Sequence, residues 1–334
     1  MKTTVLKKII NLAGWVFCVL VIVSAIDVLV LRKIFGFGYP THYEIENPQR
    51  TPVPYVMFSG KPNVLDHNEL GFRGPSVAAS KPDDIKIAFF GGSTGYSGDP
   101  PIAEILETRL EDLLGAEVFV ANYSAPSAKH RQHLHGIIEY LPRFIPDLVI
   151  FYGGFNETIQ CVGYDPRPGY PYNYFYRSET EPFPMLLLKN SAIMGRIANK
   201  TGILTGLKKL REEQQPYSDD WNKRIAGNYF EVLQMANNVA GTFESRLFGN
   251  TEFMAFYQPY QVPVEFISTH QYIKEHIATL PYAFDVSSAY DTLGKKAYTD
   301  IIHVNQQARE LMADTIAHIV ARKFREGEMS NPGK

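Results

Sequence analysis

Short apolar runs and amphipathic segments alternate along the middle of the chain. Asp84–Phe90 is apolar almost throughout and is followed by glycines, the pattern of a strand buried on both faces. Over Pro101–Leu114, Ile102, Ile105, Leu106, Leu110, Leu113 and Leu114 recur at three- and four-residue spacings, which predicts a helix that Gly115 can end. A second strand is predicted at Glu117–Ala121, a second helix at about Arg131–Leu141, and a third strand at Leu148–Tyr152, again stopped by a glycine pair. This order predicts an α/β fold, a parallel sheet with helices on both faces, which binds ligands at the carboxyl ends of its strands. Those ends carry Gly91-Gly92-Ser93, Asn122-Tyr123-Ser124 and Gly153-Gly154-Phe155-Asn156. The alternation breaks at about 158–218, read as an insertion. A long amphipathic helix (about 219–247), strands at Glu252–Tyr257 and Ala283–Val286, and a closing helix after His303 are expected beyond it. One face of that last helix is Ala308, Leu311, Met312, Ile316, Ile319 and Val320.

The N-terminus follows a different rule. Ile9–Leu31 is apolar except for Asn11, Ser24 and Asp27. As a helix it would extend about 35 Å, enough to cross a bilayer's hydrocarbon core with some tilt. Lys2, Lys7 and Lys8 precede it and favour an N-in orientation. A cleaved signal peptide is the competing reading, because Val23-Ser24-Ala25 fits a small-residue cleavage site; the apolar run continues past it to Leu31, which favours an uncleaved anchor. Asp27 within the run marks either a partner helix or the outer interface. Both readings place the rest of the chain outside the cytoplasm. The expected organisation is an anchor over 1–36, a Pro-, Gly- and Asn-rich linker and lead-in over 37–83, and one domain over 84–328 carrying the insertion.

Composition narrows the function classes. The 334 residues are 45% hydrophobic and 20% charged, with 20 Tyr and 21 Phe, and the net charge of −2 gives no reason to expect nucleic acid. Without residues 1–36 the chain has 28 basic against 34 acidic residues, so adsorption to anionic lipid is not expected to help anchor it. Cys18 and Cys161 lie in what read as different compartments, so no disulfide framework is expected.

The turn Phe89-Phe90-Gly91-Gly92-Ser93-Thr94-Gly95-Tyr96 admits two chemistries. A phosphate cradle of the Walker type needs Lys-Ser/Thr after its last glycine, where Tyr96 stands. A dinucleotide site wants an acid near the end of the second strand, where Asn122 stands. The turn also satisfies G-x-S-x-G, the nucleophile elbow of α/β-hydrolases, but it follows the first strand, and the compelling partners lie far downstream in Asp300-Ile301-Ile302-His303. The nucleophile reading is the stronger, and no cofactor is expected.

Ser93 in Gly-Gly-Ser-Thr, Asn156 in Gly154-Phe155-Asn156-Glu157, and Asp300-x-x-His303 before the last helix together resemble the SGNH (GDSL-type) hydrolase superfamily, over roughly residues 84–325. The resemblance implies a flavodoxin-like three-layer sandwich and a Ser93–His303–Asp300 triad. It also implies an oxyanion hole made by the Ser93 backbone N–H, a backbone N–H from the second block, where Ser124 aligns with the family's usual glycine, and the Asn156 side chain. Glu157 replaces the family's usual aspartate. Gly71-Phe72-Arg73-Gly74 resembles a segment preceding the catalytic block in members associated with bacterial surface polysaccharides. The activity implied is a serine esterase acting on an O-acyl, foremost O-acetyl, ester of a carbohydrate, at the bacterial inner membrane and facing the periplasm or exterior. An acyltransferase using the same triad, and a non-catalytic glycan-binding or assembly protein, remain open beside it. Tyr164, Tyr170 and Tyr172 in the tyrosine-rich stretch either stack on sugar rings or pack as a proline-stiffened cap. His130, His133 and His135 lack a convergent further ligand, so no metal is expected.

Overall fold

The computed structural model describes residues 2–34, 51–158, 166–171, 193, 197 and 207–330. The chain divides into two compact units, the first formed by residues 1–46 and 174–209. In this unit helix α1 (Lys2–Ala25) continues as a π-helical stretch over Ile26–Ile34. Residues Lys7–Leu31 are long and apolar enough to cross a membrane, a property shared by anchors and signal sequences. Asp27 is buried, and its Oδ1 accepts a hydrogen bond from the backbone N–H of Ile193 in the same unit at 3.2 Å.

The second unit comprises residues 47–173 and 210–334. It opens with an antiparallel hairpin of β1 (Thr51–Val53) and β2 (Met57–Ser59), inside the segment expected as a linker. Val56 and Phe72 from this segment are buried in the core, and Phe72 sits edge-on to both Tyr123 and Tyr140. Scattered single apolar residues gave no period to read there, so the hairpin was not legible.

Then follow β3 (Ile85–Gly91), the single-turn α2 (Ser93–Tyr96), α3 (Ile102–Leu114), β4 (Val118–Asn122), α4 (His130–Tyr140), β5 (Leu148–Gly153) and the single-turn α5 (Phe155–Thr158). After the insertion come α6 (Asp219–Ala240), a small hairpin of β6 (Glu244–Ser245) and β7 (Gly249–Asn250), β8 (Glu252–Tyr257), α7 (Ile267–Ile277), β9 (Ala283–Asp285) and α8 (Gln306–Ser330). Helix α6 stops short of the expected 247 because the chain turns back at Gly241 into the β6–β7 hairpin. Helix α7 was not expected. It seats Ile273 and Ile277 in the core.

Strands β4-β3-β5-β8-β9 form one five-stranded sheet in which every pairing is parallel. Numbered along the sequence the order is 2-1-3-4-5, the doubly wound, flavodoxin-like order. Both faces are covered, so the strands are apolar without alternation. Ala88, Phe90, Val149, Phe151, Phe253 and Ala255 join a core with α4, α6 and α7. Ile87, Phe89, Leu148, Ile150, Met254 and Phe256 join a second core with α3 and α8.

The amino end of the sheet is tied by one buried carboxylate. Asp147 Oδ2 accepts from the Lys86 N–H at 3.0 Å, and its Oδ1 accepts from the Ser245 hydroxyl at 2.7 Å and the Leu247 N–H at 3.3 Å. Replacing it by alanine strands these buried donors, with hydrogen bonds to a charged group worth roughly 1.5–3 kcal/mol each. We expect Asp147→Ala to lower unfolding free energy by about 3 kcal/mol in urea titration, since it lies at the sheet end opposite the strand ends described next.

Candidate active site

Strands β3, β4, β5 and β8 deliver their carboxyl ends to one edge of the sheet. At the end of β3, Gly92 caps α2 and Ser93 begins it. The Ser93 hydroxyl lies 2.8 Å from Nε2 of His303, although the two residues are 210 positions apart. Nδ1 of His303 lies 2.6 Å from Oδ2 of Asp300. The other carboxylate oxygen, Oδ1, accepts from the backbone N–H groups of Ile302 (2.8 Å) and His303 (2.7 Å). Asp300 and His303 occupy the turn before α8, and Asn305 accepts from the Ala308 N–H at that helix's first turn. Partial burial works to raise the Asp300 pKa. Hydrogen bonds from the His303 side chain and from the Ile302 and His303 amides outweigh it and hold the carboxyl below its ordinary value. The pair stands open to solvent, His303 being 35% and Asp300 52% exposed at the side chain.

Asn156, in α5, approaches from the end of β5. Its Nδ2 donates to the Ala128 carbonyl at 2.7 Å. An amide carries two N–H bonds, so this contact orients the group through one and leaves the other for a further acceptor. A side chain on Gly92 would collide with that same Nδ2, so the residue before Ser93 must be glycine for Asn156 to come this close. Thr94 Oγ1 donates to Oε1 of Gln258 at 2.7 Å, tying the Ser93 turn to the end of β8. A small recess, open to solvent and with room for about one water molecule, is lined by residues including Gly92, Ser93, Ala128, His130, His133, Asn156 and Ile302.

The fold thus brings together Ser93, Asn156, Asp300 and His303. Ser124 sits under the same turn, its hydroxyl buried against Gly91 and Gly95; its N–H is engaged by Asn122 Oδ1 at 3.1 Å and it does not line the cavity. The backbone beside Asn156 is instead the turn at Ser127 and Ala128, where Ser127 adopts the left-handed φ of 68°. Tyr164 and Tyr172 lie outside the described residues, as does Cys161. Tyr170 has the Arg167 guanidinium 3.7 Å above its ring and does not line the cavity. Arg73 has a structural task, donating to the Tyr96 and Gly98 carbonyls and pairing with Asp66. Among the described residues there is no cluster of three metal-ligating groups. Gln258, Thr94 and the histidine pair went unmarked in the sequence as site residues. Gln258 directly follows β8, so the strand-end rule would have found it.

Burial pushes the His130 pKa down to about 3, and burial together with neighbouring His130 pushes that of His133 down to about 3. Between pH 6.5 and 3 the unfolded chain therefore binds protons that the folded chain refuses. Stability falls as pH drops through this window, by roughly 1 kcal/mol per pH unit for each histidine. Urea midpoints measured at pH 7, 6 and 5 should decline accordingly, and less steeply in His133→Gln.

Neither a family model nor a curated protein sequence matches the chain. Among solved structures it is similar to a lipase/acylhydrolase from Enterococcus faecalis (14% identity, TM-score 0.40, covering 71% of this chain and 96% of that one). It is also similar to the acetyl xylan esterase AlAXEase (11% identity, TM-score 0.40, 71% and 100%). A third similar structure is the inhibitor-bound aryl esterase of M. smegmatis (13% identity, TM-score 0.38, 71% and 98%).

Proposed function

We propose that the chain is a serine esterase of the SGNH type, held at the membrane by its N-terminal helix with the catalytic unit outside the cytoplasm. Its substrate is a short O-acyl ester, the O-acetyl ester being the simplest, of a carbohydrate such as a surface glycan. One observation carries this reading: the unbroken hydrogen-bonded line from Asp300 through His303 to Ser93. An isolated serine or a lone Asp–His pair has no such use.

In the proposed mechanism, Nε2 of His303 takes the Ser93 hydroxyl proton as the oxygen attacks the ester carbonyl. Asp300 holds the imidazole in the tautomer with its proton on Nδ1 and stabilises the imidazolium. Charge on the carbonyl oxygen is met by the second N–H of Asn156 and the backbone N–H of Ser93. The Ser124 amide would join only by releasing Asn122. His303 then gives its proton to the leaving alcohol, and the acyl group stays on Ser93. Water enters by the same route to complete hydrolysis. The exposure of His303 and Asp300 also suits a sugar hydroxyl as the second nucleophile, and this supports an acyltransferase as the second reading.

Fluorophosphonate labelling of the full chain in detergent tests the nucleophile. We expect labelling of wild type, none of Ser93→Ala, and loss in His303→Ala. A folded wild type that takes no label, yet binds acylated glycan saturably, would instead favour the binding-protein reading. On an acetyl ester, Asn156→Ala should lower kcat by about 10²–10³. Gly92→Ala should give a loss of similar order by displacing the same amide. Acetate released free or transferred to added glycan separates esterase from transferase.

A further inference from the structure

The loop leaving β8, Gln258-Pro259-Tyr260-Gln261, supplies no member of the Asp300–His303–Ser93 line, yet three of its four residues touch the segments that carry the site. Gln258 is buried, with 3% exposure. Its backbone N–H donates to the Gly153 carbonyl at 2.9 Å, which fixes it at the end of β5, and its Oε1 accepts from the Thr94 hydroxyl at 2.7 Å. Thr94 directly follows Ser93, so this bond holds the Ser93 turn. Tyr260 grips α5 through residues that bracket Asn156 in sequence. Its hydroxyl lies 3.3 Å from Thr158 Oγ1, and its ring meets Phe155 edge-on with centroids 5.6 Å apart. The same hydroxyl lies 2.6 Å from that of Tyr257, which in turn lies 2.8 Å from Nδ1 of His270, so Tyr260 is itself braced from β8 and α7. Gln261 reaches the third segment. Its backbone N–H donates to the Ile301 carbonyl at 2.9 Å and its Nε2 to the Asp300 carbonyl at 3.1 Å.

These three segments come from distant parts of the chain, and the bonds inside each are local. The Asp300–His303 turn closes on itself: the Thr299 N–H donates to the His303 carbonyl at 2.8 Å, and Asp300 Oδ1 accepts from the Ile302 and His303 amides. Such closure fixes the shape of the turn but not its place over Ser93, and α8 begins only beyond it, at Gln306. Arg73 braces the far end of α2 through the Tyr96 and Gly98 carbonyls, and its ion-pair partner Asp66 belongs to the lead-in. The loop after β8 is where ties to all three segments meet.

We propose that Gln258, Tyr260 and Gln261 are positioning residues, by which one loop registers the Ser93 turn, the Asn156 helix and the Asp300–His303 turn against one another. The proposal rests on the esterase reading and names what sets its geometry. Gln258 acts through Thr94, Tyr260 through α5, and Gln261 through the backbone of Asp300 and Ile301. The Gln261 side-chain bond is exposed, and water competes there for both groups, so it adds little to stability. Misplacing a reacting group by about 1 Å can nonetheless cost about 10²-fold in rate. A tie too weak to matter for folding can therefore matter for turnover.

The test is a double-mutant cycle on kcat and KM for 4-methylumbelliferyl acetate, with the full chain in detergent. Gln261→Met keeps the length of the side chain and removes its donor. Thr94→Val keeps the shape and removes the hydroxyl that Gln258 accepts. Each should lower kcat by about tenfold at unchanged KM, and Gln261→Met should leave the urea midpoint where it was. Changes at independent sites multiply, whereas losing either tie here loses the shared registration, so the double variant should fall well short of about a hundredfold. Ser93-dependent turnover with an unchanged kcat in Gln261→Met overturns this inference and leaves the esterase reading standing. So does full multiplication in the cycle, or a loss in Gln261→Met matched by a lower urea midpoint. A wild type without Ser93-dependent turnover overturns both readings. Should Thr94→Val fail to fold, Gln261→Met alone decides, by kcat, KM and urea midpoint.

Discussion

The bond between Ser93 and His303 is the contact that the packing of the second unit is arranged to hold. It joins residues from the first strand of the parallel sheet and the turn before the last helix, and neither partner can hold the other in place by itself. Helix α8 positions the histidine end. Ala308, Met312, Ala313, Ile316, Ala317 and Val320 are fully buried in the core that also holds Leu106 and Leu110 of α3. The Arg109–Asp314 ion pair (2.6 Å) spans the same two helices. Such half-exposed pairs are worth little alone, so the apolar seam between α3 and α8 supplies the rigidity. Because α3 follows the Ser93 turn and α8 follows the His303 turn, one seam aligns both ends of the bond.

A second constraint is steric. Asn156 comes up against the turn before Ser93 only because Gly92 has no side chain, and His130 lies over β5 only because Gly153 has none. Glu157 joins these elements electrostatically, since its two oxygens accept from the His130 and Gly154 backbone N–H groups at 2.6 and 3.1 Å. One buried carboxylate thus pins the start of α4 to the turn that carries Asn156. Aspartate, one methylene shorter, would have to draw those two segments together to bridge them, so the glutamate at this position is a matter of span as well as charge.

The parts of this architecture that were legible in the sequence are those governed by local pattern. Strands β3, β4, β5 and β8 are continuous apolar runs because both faces are buried, and α3 shows its period and its glycine stop, Gly115 at φ 64°. Ser93, Asn156, Asp300 and His303 were legible because each sits at an element boundary, where residue type is least explained by packing. The β1–β2 hairpin and α7 were not, since their apolar residues are too few to set a period before the rest of the core exists. The surroundings of Ser124 were not legible either, since alignment by position does not show that Asn122 folds back on the Ser124 amide or that the Asn156 side chain meets the chain at Ala128, beside the left-handed Ser127.

The two sides of Ser93 differ in kind, and that difference bears on the chemistry more than any single residue. On one side, among the described residues, His303 and Asp300 face solvent. On the other side Gly92, Ala128 and Asn156 border a small open recess that His130, His133 and Ile302 also line. On the proposed esterase reading, the open face belongs to the alcohol, and a polymeric glycan, whose ester-bearing units are embedded in a chain too large for an enclosed pocket, is the kind of alcohol that reading requires.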